Sequence, residues 1–340
     1  MLNFELGQAG TAGGALNDLI SVNGNLQLDG TLNVTQSQGG KFGAGLYRLI
    51  DYTGSLIDNG LEIGSAPTDT KNLQVQTAIA NQVNLVNLDG ATLTLWDGSD
   101  PANFNDGKIA GGGGTWRAGG STASWTGVDG KLNAGWQQDG VAIFSGQAGI
   151  VSVDTQGGAN PVRIGGAQFA VDGYTVNGDA LTIGAPATVV RVGDGTAASA
   201  GMTATIASEI AGTGGLVKDD FGTLVLDGSN SYSGGTTIKG GILQIASDAN
   251  LGAVGGDLAL EGTTLHVTGD TASKRAVSLG AGVNTFDIDS SLALDGTVSG
   301  AGSLRKTGTG TLQLGAANAY VNGTDIAAGS VEALVTDALG

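Results

Sequence analysis

The residues from Gly212 to Gly252, GTGGLVKDDFGTLVLDGSNSYSGGTTIKGGILQIASDANLG, are written again from Gly300 to Gly340, GAGSLRKTGTGTLQLGAANAYVNGTDIAAGSVEALVTDALG. The offset is 88 residues without insertion, and 16 of the 41 positions are identical. They include Leu216/Leu304, Lys218/Lys306, Gly222/Gly310, Leu224/Leu312, Leu226/Leu314, Asn230/Asn318, Tyr232/Tyr320 and Ile238/Ile326. A chain that repeats itself at a fixed period is restricted to architectures in which one supersecondary unit stacks on the next. Two immunoglobulin-like repeats would need roughly 100 residues each, so a 41-residue copy is too short for a sandwich. Stacked coils instead bury Leu, Val and Ile inward and turn on Gly, Asn and Asp, which is how both copies read.

The offset divides into four units of about 22 residues, the length of one three-strand turn of a parallel β-helix. The expected fold is therefore all-β: a right-handed, single-stranded parallel β-helix (β-solenoid). With strands ~4.8 Å apart it would have roughly 15 rungs and form a rod on the order of 70 Å. Composition agrees. Gly is 63 of 340 residues against a usual ~7%, yet 40% of residues are hydrophobic, so the glycines punctuate a folded chain rather than loosen a disordered one. Ten Asp-Gly and four Asn-Gly pairs supply tight turns.

Along the chain, ISVNGNLQLDGTLNV (residues 20–34) sets a period-two rhythm, with Leu26, Leu28, Leu32 and Val34 on one face. The expected organisation is N-terminal rungs over 1–96 and an insertion with a Trp-rich segment over 97–136. Rungs then resume over 137–211, and rungs carrying the two repeats (212–252 and 300–340) fill 212–340.

Function classes are narrowed by what is missing. The net charge of −17 and the absence of a basic cluster argue against nucleic acid or an anionic membrane surface. There is no cysteine, hence no disulfide framework and no thiolate chemistry. No apolar run approaches ~20 residues, so no helix crosses a membrane, and Met1-Leu2-Asn3-Phe4 does not begin a signal peptide.

Catalytic patterns are weak. His266, the only histidine, lies in a strand opposite Leu265 and Val267 and is expected to be an exposed spectator. No nucleophile turn accompanies it. The paired carboxylates Asp219–Asp220, Asp287/Asp289 and Asp97/Asp100/Asp106 are the candidates for polysaccharide chemistry; Asp287 and Asp289 share one strand face, ~7 Å apart. The calcium-roll nonapeptide is absent, DGSDPANFNDGK does not have EF-hand spacing, and Gly111–Gly114 lacks the context of a phosphate loop. No cofactor or metal is expected. The tryptophans Trp96, Trp116, Trp125 and Trp136 have two readings: they fill a wide rung, or they form an exposed ledge that contacts a partner.

The repeated stretch closely resembles the passenger-associated transport repeat of autotransporters, the type V secreted proteins of Gram-negative bacteria. The likeness rests on Leu216–Lys218, Gly222–Leu226, Asn230–Ile238, Gly241–Ile245 and Leu251–Gly252. The second copy is degraded, with Asn322 for Gly234, Asp325 for Thr237 and Val331 for Leu243. Softer likenesses lie in GLYRLIDYTGSL (45–56) and GGAQFAVDGYTVNGDALTIG (165–184).

The resemblance implies a right-handed β-helix exported through the periplasm and displayed at, or released from, the outer membrane. Absence of cysteine suits such transit. The family's C-terminal outer-membrane β-barrel is not in this sequence, which reads as a stalk segment of a longer protein expected to carry one. The leading expectation is a non-enzymatic adhesin or stalk that binds a host-cell or extracellular-matrix component. A self-association module and a polysaccharide-acting enzyme using Asp287 and Asp289 stand as alternatives.

Overall fold

The computed structural model describes residues 1–43, 45–77, 79, 81–88, 93–119 and 123–340. From Leu93 onward the chain winds a parallel β-solenoid with three walls. One wall stacks Gly140–Phe144, Val162–Phe169, Thr188–Val192, Leu216–Asp219 and Thr236–Ile238, and continues to Ala319–Tyr320, each strand parallel to the last. A second runs from Gly114–Trp116 and Ile150–Val153 through Thr223–Leu226 to Thr324–Ile326. The third holds Leu181–Ile183 and Ile210–Gly212, then Thr271–Ser273, Ser291–Leu294, Thr311–Leu314 and Ser330–Ala333. Between these groups, where the first repeat lies, the third wall is carried by single backbone bonds such as Ser231 N to Ile210 O and Ala253 N to Tyr232 O.

Alternation builds this shape. In Thr223–Leu226, Leu224 and Leu226 point inward and their neighbours outward, and the register aligns Leu224 with Ala204, Leu243, Leu265 and Phe286 in one interior column. Each fully buried Leu, Ile or Val contributes about 1.5–3 kcal/mol, so a coil shifted by one residue would turn its whole set outward. Both repeat copies open on a glycine that the packing requires. Gly212 and Gly300 have φ of 118° and 129°, and a Cβ there would lie 2.1 Å from the carbonyl oxygens of Ile183 and Leu279.

The coils are not uniformly 22 residues long. Leu216 aligns successively with Thr236, Leu258, Val277 and Val298, in steps of 19–22 residues. Four coils therefore end at Val298, short of Leu304. The second copy is consequently displaced by one wall: Leu216 lies on the first wall and Leu304 on the second, Leu224 on the second and Leu312 on the third. The repeat offset thus measures four coils and one wall rather than four coils.

Residues 2–63 make longer coils of 30 residues, with Leu2 aligned to Leu32, Leu26 to Leu56 and Ile20 to Ile50. Pairing here is not wholly parallel: Gly45–Tyr52 and Leu73–Gln76 both run antiparallel to Gln82–Asn87. This N-terminal unit has its own core, including Phe4, Leu32, Tyr47 and Leu85, separate from that of the long solenoid. A small cluster of Leu46, Val86, Leu95, Ile109, Val128 and Ile143 joins the two.

Candidate functional site

The four tryptophans do not form an exposed ledge. Trp96, Trp116, Trp125 and Trp136 are 0–3% exposed and pack on one another with ring centroids 4.7–5.1 Å apart, mostly tilted or edge-on. The cause is the antiparallel return of the 97–136 segment. Trp125–Thr126 pairs with Leu93–Trp96, and Asn133–Ala134 pairs with Trp125–Thr126, which folds the indoles over the first coil at the end of the wall. Phe144, Phe169 and Tyr174 extend the aromatic cluster down the interior. Trp96 Nε1 donates to Gly112 O at 2.7 Å and Trp136 Nε1 to Arg163 O at 3.0 Å. The indole nitrogens of Trp116 and Trp125 have no partner among the described residues. The rung-filling reading is the one the packing realises.

The insertion is held by its carboxylates. Asp97, fully buried, accepts from Ala110 N at 2.7 Å and from Asn133 Nδ2 at 2.8 Å; burial raises its pKa, against those hydrogen bonds. Asp100 accepts from Ala102 N and Asp106 from Lys108 N. Each acid is engaged in its own turn, so the three do not converge as an acid–base set.

His266 is not a free spectator. Its Nε2 lies 3.0 Å from Asp289 Oδ2 and 3.9 Å from Asp287 Oδ2, and Thr307 Oγ1 donates to Asp287 Oδ1 at 2.9 Å. The parallel register creates this by stacking Gln244, His266, Asp287 and Thr307 in one outward column. Both acids lie on an outward wall, and the nearby Thr307 hydroxyl engages Asp287 rather than the imidazole. Among the described residues no group of three or more His, Cys, Asp or Glu is placed to hold a metal ion.

Asp219 and Asp220 belong to a clamp that sequence reading missed. Arg191 donates through Nη1 to Ala9 O at 2.9 Å and through Nη2 to Gly10 O, while its guanidinium lies 3.3 Å from Asp220 and 3.5 Å from Asp219. Burial raises the Asp220 carboxyl pKa and Arg191 opposes the shift. Arg48, buried in the N-terminal unit, reaches Asp194 O at 3.0 Å and Ala12 N donates to Gly195 O at 2.8 Å. Two arginines thus fasten the N-terminal unit to the flank of the solenoid. With few basic residues in the chain, an arginine inside TVVRV was the available signal.

The repeat residues act as stitches. Lys218 and Lys306 occupy interior columns, where desolvation would be costly without partners. Lys218 Nζ donates to the carbonyls of Asp219, Asp220 and Gly240 at 2.8–2.9 Å. Lys306 does the same with Thr307, Gly308 and Ala328. Burial pulls the Lys218 pKa down to about 8 and lowers that of Lys306. Asn230 accepts from Ile210 N and donates to Asn250 O, joining the coils before and after its own; Asn318 repeats this with Val298 and Ala338. Tyr232 and Tyr320 share hydrogen bonds with Thr236 and Thr324.

A β-solenoid whose shared residues are coil-to-coil stitches, with no assembled catalytic or metal centre among the described residues, defines a structural passenger. The passenger-associated-transport-repeat family matches residues 216–245 and 304–333, which are the stitched coils, and the chain belongs to the autotransporter passengers. It is 47% identical, over 346 residues covering 99% of its length, to the Adhesin BmaC autotransporter of Brucella suis biovar 1 (strain 1330). The chain spans about 10% of that relative's length. No solved structure matches it. As a passenger it is exported via the periplasm and exposed at the bacterial surface.

Proposed function

We propose that the chain is a non-enzymatic adhesin segment, part of a surface rod that adheres to host cells or extracellular matrix. The observation that carries the reading is its similarity, along almost its whole length, to an autotransporter named as an adhesin. The engagement of Asp97, Asp219, Asp220, Asp287 and Asp289 in hydrogen bonds or ion pairs supports it over polysaccharide turnover. The longer protein would carry the outer-membrane barrel. Display of the chain on a non-adherent bacterium, with attachment counted on cell monolayers and immobilised matrix, tests the proposal. Attachment no higher than that of the carrier strain makes the segment a spacer. Aggregation of displaying cells without host attachment assigns it to self-association instead.

A further inference from the structure

The N-terminal unit leaves two strand edges open to each other. Leu56–Ile63 ends its three-stranded sheet and Leu73–Gln76 ends its four-stranded sheet, so neither has a neighbour on its outer side among the described residues. Between them lies a groove of about 680 Å³, closed on a further side by Gly127, Val128 and Asp129 of the insertion. Unpaired edges are templates for strand addition. The two edges differ in fitness for it. Gly60, at φ 88°, and the Asp58 Oδ1 bond to Gly60 N bend the centre of Leu56–Ile63.

Leu73–Gln76 has no such break. Leu88 N donates to Asn72 O, and with the antiparallel register this puts the ladder bonds on Asn72, Gln74 and Gln76. Val75 therefore turns its N–H and C=O toward the groove, together with the C=O of Leu73.

We infer that this groove receives an extended, basic segment of a partner protein as an added strand on Leu73–Gln76. The groove's character fixes the partner's chemistry. Its apolar lining includes Leu61, Ile63, Val75 and Val128, and its charged lining is Asp58 and Asp129, with no lysine or arginine. Alternate partner side chains would thus meet aliphatic surface and carboxylates in turn, which suits an alternating apolar and basic sequence. A second copy of this chain, at a net charge of −17, brings like charge to the same rim and is the poorer occupant.

The inference gives the adhesin reading a surface and rests on that reading for its biological setting. The test needs no cells, so its failure is separate from failure of adherence. A fluorescein-labelled peptide of alternating valine and lysine is titrated with the full chain and followed by anisotropy. N-methylation of every second peptide amide removes the donors of one edge. Methylating one alternate set should weaken binding about tenfold or more while methylating the other leaves it nearly unchanged, because a single hydrogen-bonded edge is used. Asp58→Asn with Asp129→Asn should weaken it roughly fivefold and flatten its salt dependence. Equal tolerance of both methylated sets, indifference to the double substitution, or equal binding of a valine–glutamate peptide overturns the proposal.

Discussion

Lys218→Met tests whether the buried lysine of the first repeat is held as the structure shows. In the folded chain burial holds its ammonium near a pKa of about 8, against an ordinary value of 10.5. The unfolded chain therefore binds more protons than the folded one between those values, and stability rises with pH across that window. The burden of the buried charge is present below about pH 8 and is relieved as the pH approaches 10.5. For a single group with these pKa values, the gain between about pH 8 and about pH 9.5 is about 1.5 kcal/mol. Burial raises the tyrosine pKa values, Tyr232 to about 12, and this opposes folding only above about pH 10. The assay is urea denaturation followed by far-UV circular dichroism at closely spaced pH values. The wild-type midpoint should climb through the window. In Lys218→Met the climb should shrink to the smaller part due to Lys306, whose pKa is also lowered. An identical climb in the variant, or a falling wild-type midpoint, refutes the argument.

Trp125→Ala should destabilise the chain by about 3–5 kcal/mol through loss of a buried indole, read as a lower melting midpoint; native tryptophan emission should be blue-shifted and poorly quenched by acrylamide, and strong quenching would contradict the packing. Asn230→Ala orphans Ile210 N and Asn250 O and should cost about 1–3 kcal/mol, with faster hydrogen exchange at Ile210. Arg191→Ala should release the segment around Ala9 and Gly10, seen as new proteolytic nicking there while the melting of the long solenoid is unchanged.

The solenoid was legible because its interior leaves a period-two trace in every coil: Leu224 and Leu226, Leu243 and Ile245, Leu265 and Val267. Repetition added stacking. Coil length left no such trace, since corners absorb extra residues without adding apolar ones, and an average of 22 fitted the offset while the registers run shorter. The tryptophans were ambiguous for a different reason. Their burial depends on Trp125 pairing antiparallel with Trp96, an association that no local pattern encodes. Arg191 reaches the carbonyl of Ala9 across 182 residues, and antiparallel pairing of Gly45–Tyr52 with Gln82–Asn87 is equally non-local.

The one-wall displacement between the repeats has a geometric consequence for evolution of the surface. Duplicated segments keep their interior partners, because every wall offers the same stacked lattice to an inward side chain. Their outward residues are carried around the axis, so Val225 and its counterpart Gln313 look out from different sides of the rod. Copying a coil therefore multiplies an epitope around the circumference rather than along a line. A flat receptor lying against one side would meet only one of the two copies.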